Sequence, residues 1–229
     1  MKYKIIGETL PAVVLEMQQG EQIFTESGGM SWMDPCFKME TSTRGGAMKA
    51  LKRSFSGNSL FLTTYSCEGP SGKIAFAASF PGNIRAIKLE AGQSIICAKT
   101  AFLAAEHSVD FSIYFKKNFK TGIFGGAGFV LQKLTGPGIV FLELSGSTVE
   151  YTLEPGQVMN VDQGHVALFQ ESVHFDVTQV KGAKNVLFSG EGLFFATLTG
   201  PGRVVLQTMP VSKLAEALSP YLAVNNGSN

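Results

Sequence analysis

The chain has 229 residues, of which 45% are hydrophobic and only 16% are charged, so it can bury a substantial core and is not disordered. Its formal net charge of +1 gives no overall argument for nucleic acid or membrane binding. No apolar run approaches about 18 residues, which argues against a membrane-spanning helix.

The chain begins with MKYKIIGETLPAVVLEM, which is too short and polar for a signal peptide and lacks the Arg and Ser content of a transit peptide. Cys36, Cys67 and Cys97 are an odd number without CxxC spacing, which fits a reducing compartment better than a disulfide framework. They lie in apolar or turn contexts without an adjacent histidine, so we expect small buried side chains. The sequence therefore predicts a cytoplasmic protein.

Three elements recur in the same order along the chain. The first is an alternating strand, a glycine turn and a second strand, and its copies align without gaps at 12–24, 85–97 and 149–161. The second is a glycine-rich loop before an apolar strand, at 56–65, 125–134 and 189–198. The third is a Gly-Pro pair, starting at Gly69, Gly136 and Gly200. Three elements in one order, three times, indicate an internal triplication.

The Gly-Pro elements predict turns between strands. In Gly136-Pro137-Gly138 and Gly200-Pro201-Gly202 the proline presets φ and the second glycine accepts a positive φ, which predicts a type II turn. No helix pattern follows either motif, so a phosphate-binding loop is disfavoured.

The sequence thus predicts an all-β chain in which residues 1–229 form a single domain of three units, 1–82, 83–146 and 147–209. Only the end of the chain has a helical pattern, because Val211, Leu214, Ala215 and Leu218 recur at helical spacing. We expect a helix over about 211–219 with Ser212 near its N-cap, its apolar face packed on the β-body, and a frayed tail.

A family resemblance rests on four stretches, GEQIFTESGGMSWMD, LKRSFSGNSLF, PGNIRAIKLEAGQSIIC and, most specifically, KTGIFGGAGFVLQKLTGPGIVFLELSG. Over nearly its whole length the chain resembles the uncharacterised family related to the mitochondrial biogenesis protein named for altered inheritance of mitochondria. The resemblance implies a short double-stranded β-helix, similar to the tryptophan RNA-binding attenuation protein, with three units around a pseudo-threefold axis. It implies no enzymatic activity and no catalytic residues. Eukaryotic members are linked to organisation of the mitochondrial inner membrane, a role that does not transfer directly because this chain lacks a transit segment.

The residues themselves do not indicate an enzyme, a metal site or a cofactor. No histidine recurs at an equivalent repeat position, and no GxSxG motif or distinctive acid–base pair is present. His165 and His174 are nine residues apart on adjacent predicted strands, and this spacing leaves open that they meet, but a metal would need a further ligand. We expect ordinary strand or surface histidines.

Basic residues cluster before each glycine-rich loop, in windows without an acidic residue. They are Arg44, Lys49, Lys52 and Arg53 in the first unit, Lys116, Lys117 and Lys120 in the second, and Lys181 and Lys184 in the third. If the units are related by a pseudo-threefold, the three windows form one basic rim. Phe124 lies among glycines that predict a loop tip, and is the best candidate for an exposed apolar residue beside the rim. The alternative is a solvated rim beside buried strands.

These observations favour a non-enzymatic interaction or scaffold protein, peripheral to an anionic membrane or bound to acidic partners through the basic rim. A small-ligand-binding β-helix module is the alternative. RNA binding follows only from the fold analogy, and nucleic acid is disfavoured because no aromatic ladder accompanies the basic residues. A protein partner and further copies of the chain remain open.

Overall fold

The computed structural model describes residues 1–42, 61–117, 129–179 and 194–221, and within them the chain is all-β with one short C-terminal helix. The strands are β1 (Lys2–Ile6), β2 (Ala12–Gln18), β3 (Gln22–Glu26), β4 (Trp32–Met33), β5 (Phe37–Ser42), β6 (Leu62–Cys67), β7 (Ser71–Ala77), β8 (Gly82–Leu89), β9 (Ser94–Ala98), β10 (Phe102–Glu106), β11 (Asp110–Lys117), β12 (Phe129–Thr135), β13 (Gly138–Ser145), β14 (Thr148–Leu153), β15 (Val158–Asp162), β16 (Val166–Gln170), β17 (His174–Gln179), β18 (Phe194–Thr199) and β19 (Gly202–Gln207). The helix is α1 (Val211–Leu218), which a 3₁₀ turn, Ser219–Tyr221, follows.

The strands pair in the same order in three successive segments of the chain, which comprise β2–β7, β8–β13 and β14–β19. In each segment the first strand pairs with the last, and the last pairs with the third, which gives the ladders β2-β7-β4, β8-β13-β10 and β14-β19-β16. The remaining strands form β3-β6-β5, β9-β12-β11 and β15-β18-β17. β1 is an additional strand on the edge of β2. The pairing is antiparallel throughout, and the division into three units related by a third of a turn stays a prediction.

Two ladders between segments make the sheets continuous. β3 of the first segment pairs with β10 of the second, and β9 of the second pairs with β16 of the third, which gives two six-stranded sheets. One buried cluster includes Phe24 from the first segment, Leu142 from the second and Val205 from the third, all at most 1% exposed. Because backbone ladders and apolar contacts both cross the segment boundaries, the segments share their core.

The predicted type II turns are not formed, although the predicted positive φ is confirmed. Gly138 and Gly202 have φ of +143° and +145°, and the Gly136–Pro137 and Gly200–Pro201 bonds are cis. A type II turn has a trans proline and φ near +80° at this glycine. The backbone N–H groups of Gly136 and Gly200 donate to the carbonyls of Gln93 and Gln157, each at 2.9 Å. These glycines are therefore bonded to the neighbouring hairpin rather than across their own turn.

The ungapped alignment of the first copy is wrong by one residue. That alignment places Met17 beside Glu90, whereas in the structure Met17 and Leu89 occupy equivalent positions, opposite Gly72 and Gly138. The turn glycines Gly20, Gly92 and Gly156 correspond, with φ of +86°, +79° and +78°. An added Cβ at any of these three glycines would have nothing within 4 Å.

The Gly69-Pro70 pair is not the equivalent of the other two Gly-Pro pairs. Cys67 takes the place of Gly136 and Gly200. Its N–H donates at 3.1 Å to the carbonyl of Glu21, the residue that follows the turn glycine Gly20, as Gln93 and Gln157 follow theirs. Residues 68–71 then separate Cys67 from Gly72, whereas a single proline separates Gly136 from Gly138. The first segment therefore contains an extension at this turn.

The C-terminal helix is present, but its predicted cap and packing are wrong. Pro210 is the N-cap residue, and no side chain caps the helix. None of the helical residues is buried, and Leu218 is 48% exposed. Val211 and Leu214 are half-buried, so the apolar face contacts the β-body only at its beginning.

Candidate functional site

A cavity of about 1230 Å³ lies within the part of the chain that the structure describes. Its lining combines residues of all three segments with α1, for example Thr25 from the first, Leu103 from the second, Gln163 from the third and Ala215 from the helix. Ligand cavities commonly measure about 300–1,000 Å³ and combine an apolar lining with a few polar groups. This cavity is therefore large enough for a small organic molecule.

Equivalent positions in the three segments contribute to the wall. Three residues lie at equivalent positions in the last strand of each segment, namely Ala77 in β7, Glu143 in β13 and Gln207 in β19. Each lies five residues after a glycine that pairs with the first strand of its segment, which is Gly72, Gly138 or Gly202. All three line the cavity. The wall thus has one backbone plan but an apolar, an acidic and an amide side chain, which makes its chemistry asymmetric.

Glu143 is an acidic residue of the cavity wall that Ser79 holds in place. Its Oε2 accepts a hydrogen bond from the Ser79 N–H at 2.6 Å, and the Ser79 hydroxyl lies 3.3 Å from Oε1. Burial raises the pKa of the Glu143 carboxyl, and the two bonds from Ser79 oppose that rise. The carboxyl is thus held in the wall with reduced contact with water.

A second polar group joins three residues from two segments. The amide nitrogen of Gln132 donates to Glu26 Oε1 at 2.6 Å, and Lys99 Nζ lies 3.6 Å from Glu26 Oε2. Gln132 is 0% exposed, and its own oxygen has no hydrogen-bond partner among the described residues. A buried amide oxygen without a partner is unfavourable, so this network is only partly satisfied.

Gln207 holds the cavity wall to the neighbouring loop. Its amide nitrogen donates to the Gly164 carbonyl at 3.0 Å, and its oxygen accepts from the Ser145 N–H at 3.1 Å. Gln207 is 3% exposed, and both ends of its amide are bonded. This residue therefore has a structural role in the wall.

Most of the predicted basic rim lies outside the described residues. This applies to Arg44, Lys49, Lys52, Arg53, Lys120, Phe124, Lys181 and Lys184. Lys116 and Lys117 end β11, where their backbones pair with Val130 and Phe129. Because Val130 and Phe129 line the cavity, this end of β11 lies beside it.

The two histidines do not come together. His174 pairs with Thr199 at one end of β18, and His165 follows Asp162, which pairs with Phe195 towards the other end. These two positions on β18 are four residues apart, which is about 13 Å. The His165 ring instead bonds the Gln207 carbonyl at 2.7 Å. Among the described residues, no group of three or more His, Cys, Asp or Glu side chains is arranged to hold a metal ion.

Sequence reasoning missed Glu143, which lines the cavity, and Gln132, which donates a hydrogen bond to the lining residue Glu26. Gln132 and Glu143 each stand inside an apolar strand sequence, FVLQKL and IVFLEL. A polar residue in such a strand is a usable signal, because it needs a partner when buried. The comparison of repeats does not reveal this signal at Glu143, because the equivalent residues Ala77 and Gln207 have different chemistry.

The strand order and the cavity define an all-β protein of continuous antiparallel sheets around a shared core. The model of a family described as mitochondrial biogenesis AIM24 matches residues 3–209. The chain therefore belongs to the AIM24 family, as the sequence resemblance predicts.

Two relatives from Streptococcus pyogenes extend this comparison. An uncharacterized protein of serotype M6 is 27% identical over 224 residues, which cover 94% of this chain and 88% of the relative. A crystal structure of a protein from the same species has 26% identity and a TM-score of 0.79, covering 96% of this chain and 99% of that one. The similarity in structure thus extends over nearly the whole of both chains.

Within the described residues, no helix has the length and apolar character needed to cross a membrane.

Proposed function

We propose that this protein is a non-enzymatic scaffold, cytoplasmic and peripheral to membranes, that binds anionic surfaces through its basic rim. The observation that carries the proposal is the position of three equivalent strand ends. The strands β5, β11 and β17 end at Ser42, Lys117 and Gln179, and along the sequence the basic windows lie at or shortly after these ends.

Each of these strand ends is connected to the cavity by pairing. Lys117 pairs with Phe129, which lines the cavity. Ser42 pairs with Leu62, and Leu62 pairs with Glu26, another lining residue. In the third segment Gln179 pairs with Phe194. The next residue of that strand, Phe195, pairs with Asp162, and Asp162 is followed by Gln163, which lines the cavity. This arrangement supports a rim to which all three basic windows contribute.

The physical basis is electrostatic attraction to negative headgroups. Each Lys or Arg near an anionic membrane contributes about 1 kcal/mol, and the attraction falls off over a Debye length of about 10 Å at 0.1 M salt. Nine basic residues on one rim are sufficient for peripheral binding. Binding should therefore weaken steeply as the salt concentration rises.

Vesicle flotation tests this proposal. We expect the protein to float with phosphatidylcholine vesicles containing 30% phosphatidylserine and not with pure phosphatidylcholine. The triple variant Lys116→Glu, Lys117→Glu, Lys120→Glu should lose binding. The matched control is Lys38→Glu, Lys73→Glu, Lys88→Glu, which changes the charge equally at the opposite strand ends. Equal binding by both triple variants, or no preference for anionic vesicles, contradicts the proposal.

The cavity favours a second candidate, a small-ligand-binding module. Its volume and its half-buried carboxyl, that of Glu143, suit an organic ligand with a hydrogen-bond donor. Native mass spectrometry of the protein purified from its own cells should then detect a bound small molecule. Ala78→Phe, which adds a bulky ring at a lining position, should weaken or remove it, whereas Ala91→Phe in an exposed turn should not. An unliganded wild-type protein argues against this candidate.

A further inference from the structure

Two of the three cysteines lie against the extended turn of the first segment. The Cys36 sulfur lies 3.6 Å from the Ser71 carbonyl oxygen, and the Cys67 sulfur lies 3.5 Å from that of Gly69. A Cβ added at Gly72 would overlap the Cys36 sulfur, so this glycine makes room for the thiol. Both sulfurs therefore contact the same four-residue turn.

The backbone is also suitable for a bond between them. Cys67 pairs with Phe37, the residue after Cys36, and the Glu68 N–H donates to the Cys36 carbonyl at 2.9 Å. Directly paired antiparallel residues have Cα atoms about 4.5–5.5 Å apart. One step from such a pair remains within the roughly 4.4–6.8 Å between Cα atoms that disulfides span. Cys36 precedes the first residue of β5, so the alternation of faces along the strand does not turn its side chain away from Cys67, and the two side chains are hydrogen-bonded.

The other two segments lack this pair. Ser108 and Ser172 lie against Gly138 and Gly202 as Cys36 lies against Gly72. Gly136 and Gly200 stand where the first segment has Cys67. The thiols thus occur together only where residues 68–71 extend the turn, and serine is a side chain that this place in the fold accepts.

The two thiols differ in access. Cys36 is partly exposed, whereas Cys67 is 2% exposed. Burial raises the pKa of the Cys67 thiol, and a hydrogen bond with the Cys36 side chain adds to the rise. An oxidant from solution therefore meets Cys36 first, and Cys67 is the second thiol to react.

We infer that Cys36 and Cys67 form a reversible intramolecular disulfide, with a peroxide as the oxidant. The Cys36 sulfur attacks one peroxide oxygen, the O–O bond breaks, and Cys36 becomes a sulfenic acid with release of water. The Cys67 sulfur then loses its proton and attacks the Cys36 sulfur, the S–O bond breaks, and a second water leaves. Two thiols are oxidised and one hydrogen peroxide is reduced to two water molecules.

Peptide mass spectrometry of the full-length protein tests this inference. The protein is exposed to hydrogen peroxide, alkylated in denaturant and digested with trypsin. The digestion puts the three cysteines into separate peptides, 5–38, 54–73 and 89–99. We expect peptides 5–38 and 54–73 to be linked, about 2 Da below the sum of their masses, and separated by dithiothreitol. Alkylatable thiols should fall from three to one, with Cys97 in 89–99 remaining.

Three variants serve as controls. Cys36→Ser, which introduces the side chain found in the other segments, should abolish the link, and Cys97→Ser should leave it intact. Cys67→Ala should trap Cys36 as a sulfenic acid that dimedone labels. The inference is overturned if Cys36 proceeds to sulfinic acid without linking, if Cys97 takes part, if the link joins two chains, or if Cys67→Ala gives no dimedone adduct.

Discussion

The turn before the last strand differs between the first segment and the other two. In the second and third segments a single proline separates two glycines, and an added Cβ on the second glycine would lie 2.8 Å from Ser108 Oγ or 2.6 Å from Ser172 Oγ. In the first segment the turn is longer, and Cys36 replaces the serine. The strand pairing around the turn is the same in all three. The fold thus accepts different chemistry here while keeping glycine at the close approach.

The largest expected effect comes from removing that glycine. Gly138→Ala and Gly202→Ala each place a Cβ against a side chain at a φ above +140°. Backbone strain and overpacking each contribute about 1–3 kcal/mol, so we expect a loss of about 4 kcal/mol in the free energy of unfolding. Urea unfolding measures it.

Gly92→Ala is the matched control, because its φ is +79° but nothing lies within 4 Å of the added Cβ. We expect it to lose only about 1 kcal/mol. Equal losses for Gly92→Ala and Gly138→Ala would show that close approach has no part in the difference.

Oxidation should give the next largest effect and should be confined to the first segment. A disulfide between Cys36 and Cys67 closes a loop with 30 residues between the cysteines. In the chain-entropy model such a loop stabilises the folded state by about 3–4 kcal/mol. We expect peroxide-treated wild-type protein to unfold at higher urea concentration than reduced protein. Cys36→Ser should show no such difference.

Exchanging the thiol and the hydroxyl between segments should have a smaller effect. Cys36→Ser and Ser108→Cys each introduce a side chain that another segment already has at the equivalent position. We therefore expect changes below about 1 kcal/mol in the free energy of unfolding. Ser108→Cys should not form a new disulfide, because glycine stands at position 136. A new link to residue 108 after peroxide treatment would mean that the extended turn is not what permits bridging.

The smallest effect concerns the cavity wall. Glu143→Gln introduces the residue that the third segment has at the equivalent position, Gln207. The pKa of Glu143 is raised in the folded state by burial, so the folded protein binds its proton more tightly than the unfolded chain. Its contribution to stability is therefore greatest below the unfolded pKa and falls as the pH rises through the folded pKa.

Glu143→Gln removes this titration. Urea midpoints at pH 4 and pH 7 should show the variant gaining on the wild type as the pH rises. The other charged lining groups, such as Lys99 and Glu216, are present in both proteins and cancel in the comparison. A difference that is independent of pH contradicts the assigned burial of the carboxyl.

The strands were predictable because alternation and glycine turns are local signals. The C-terminal helix was predictable for the same reason. The exposure of its apolar face was not, because the helical spacing of Leu218 does not show whether that side chain packs against the β-body. The type II turn was wrong because a Gly-Pro-Gly sequence does not determine the proline isomer. Local sequence cannot show which backbone partner the preceding glycine takes.

The candidate site was harder to predict than the strands. Cys36 and Cys67 are 31 positions apart, and their proximity depends on a turn whose extension breaks the repeat alignment. Glu26 and Gln132 lie in different segments and meet only because β3 and β12 converge on one cavity. Contacts of this kind come from the pairing of sheets, which the spacing of residues along the chain does not encode.

The open turns at Gly20, Gly92 and Gly156 have a practical consequence. They lie at the strand ends away from the cavity, and an added Cβ at these glycines would meet no other atom within 4 Å. A reporter dye or short epitope grafted beside one of them would face solvent while the cavity and the proposed rim stay free. The protein thus offers three separate attachment points from which distances to a surface or a bound molecule can be triangulated.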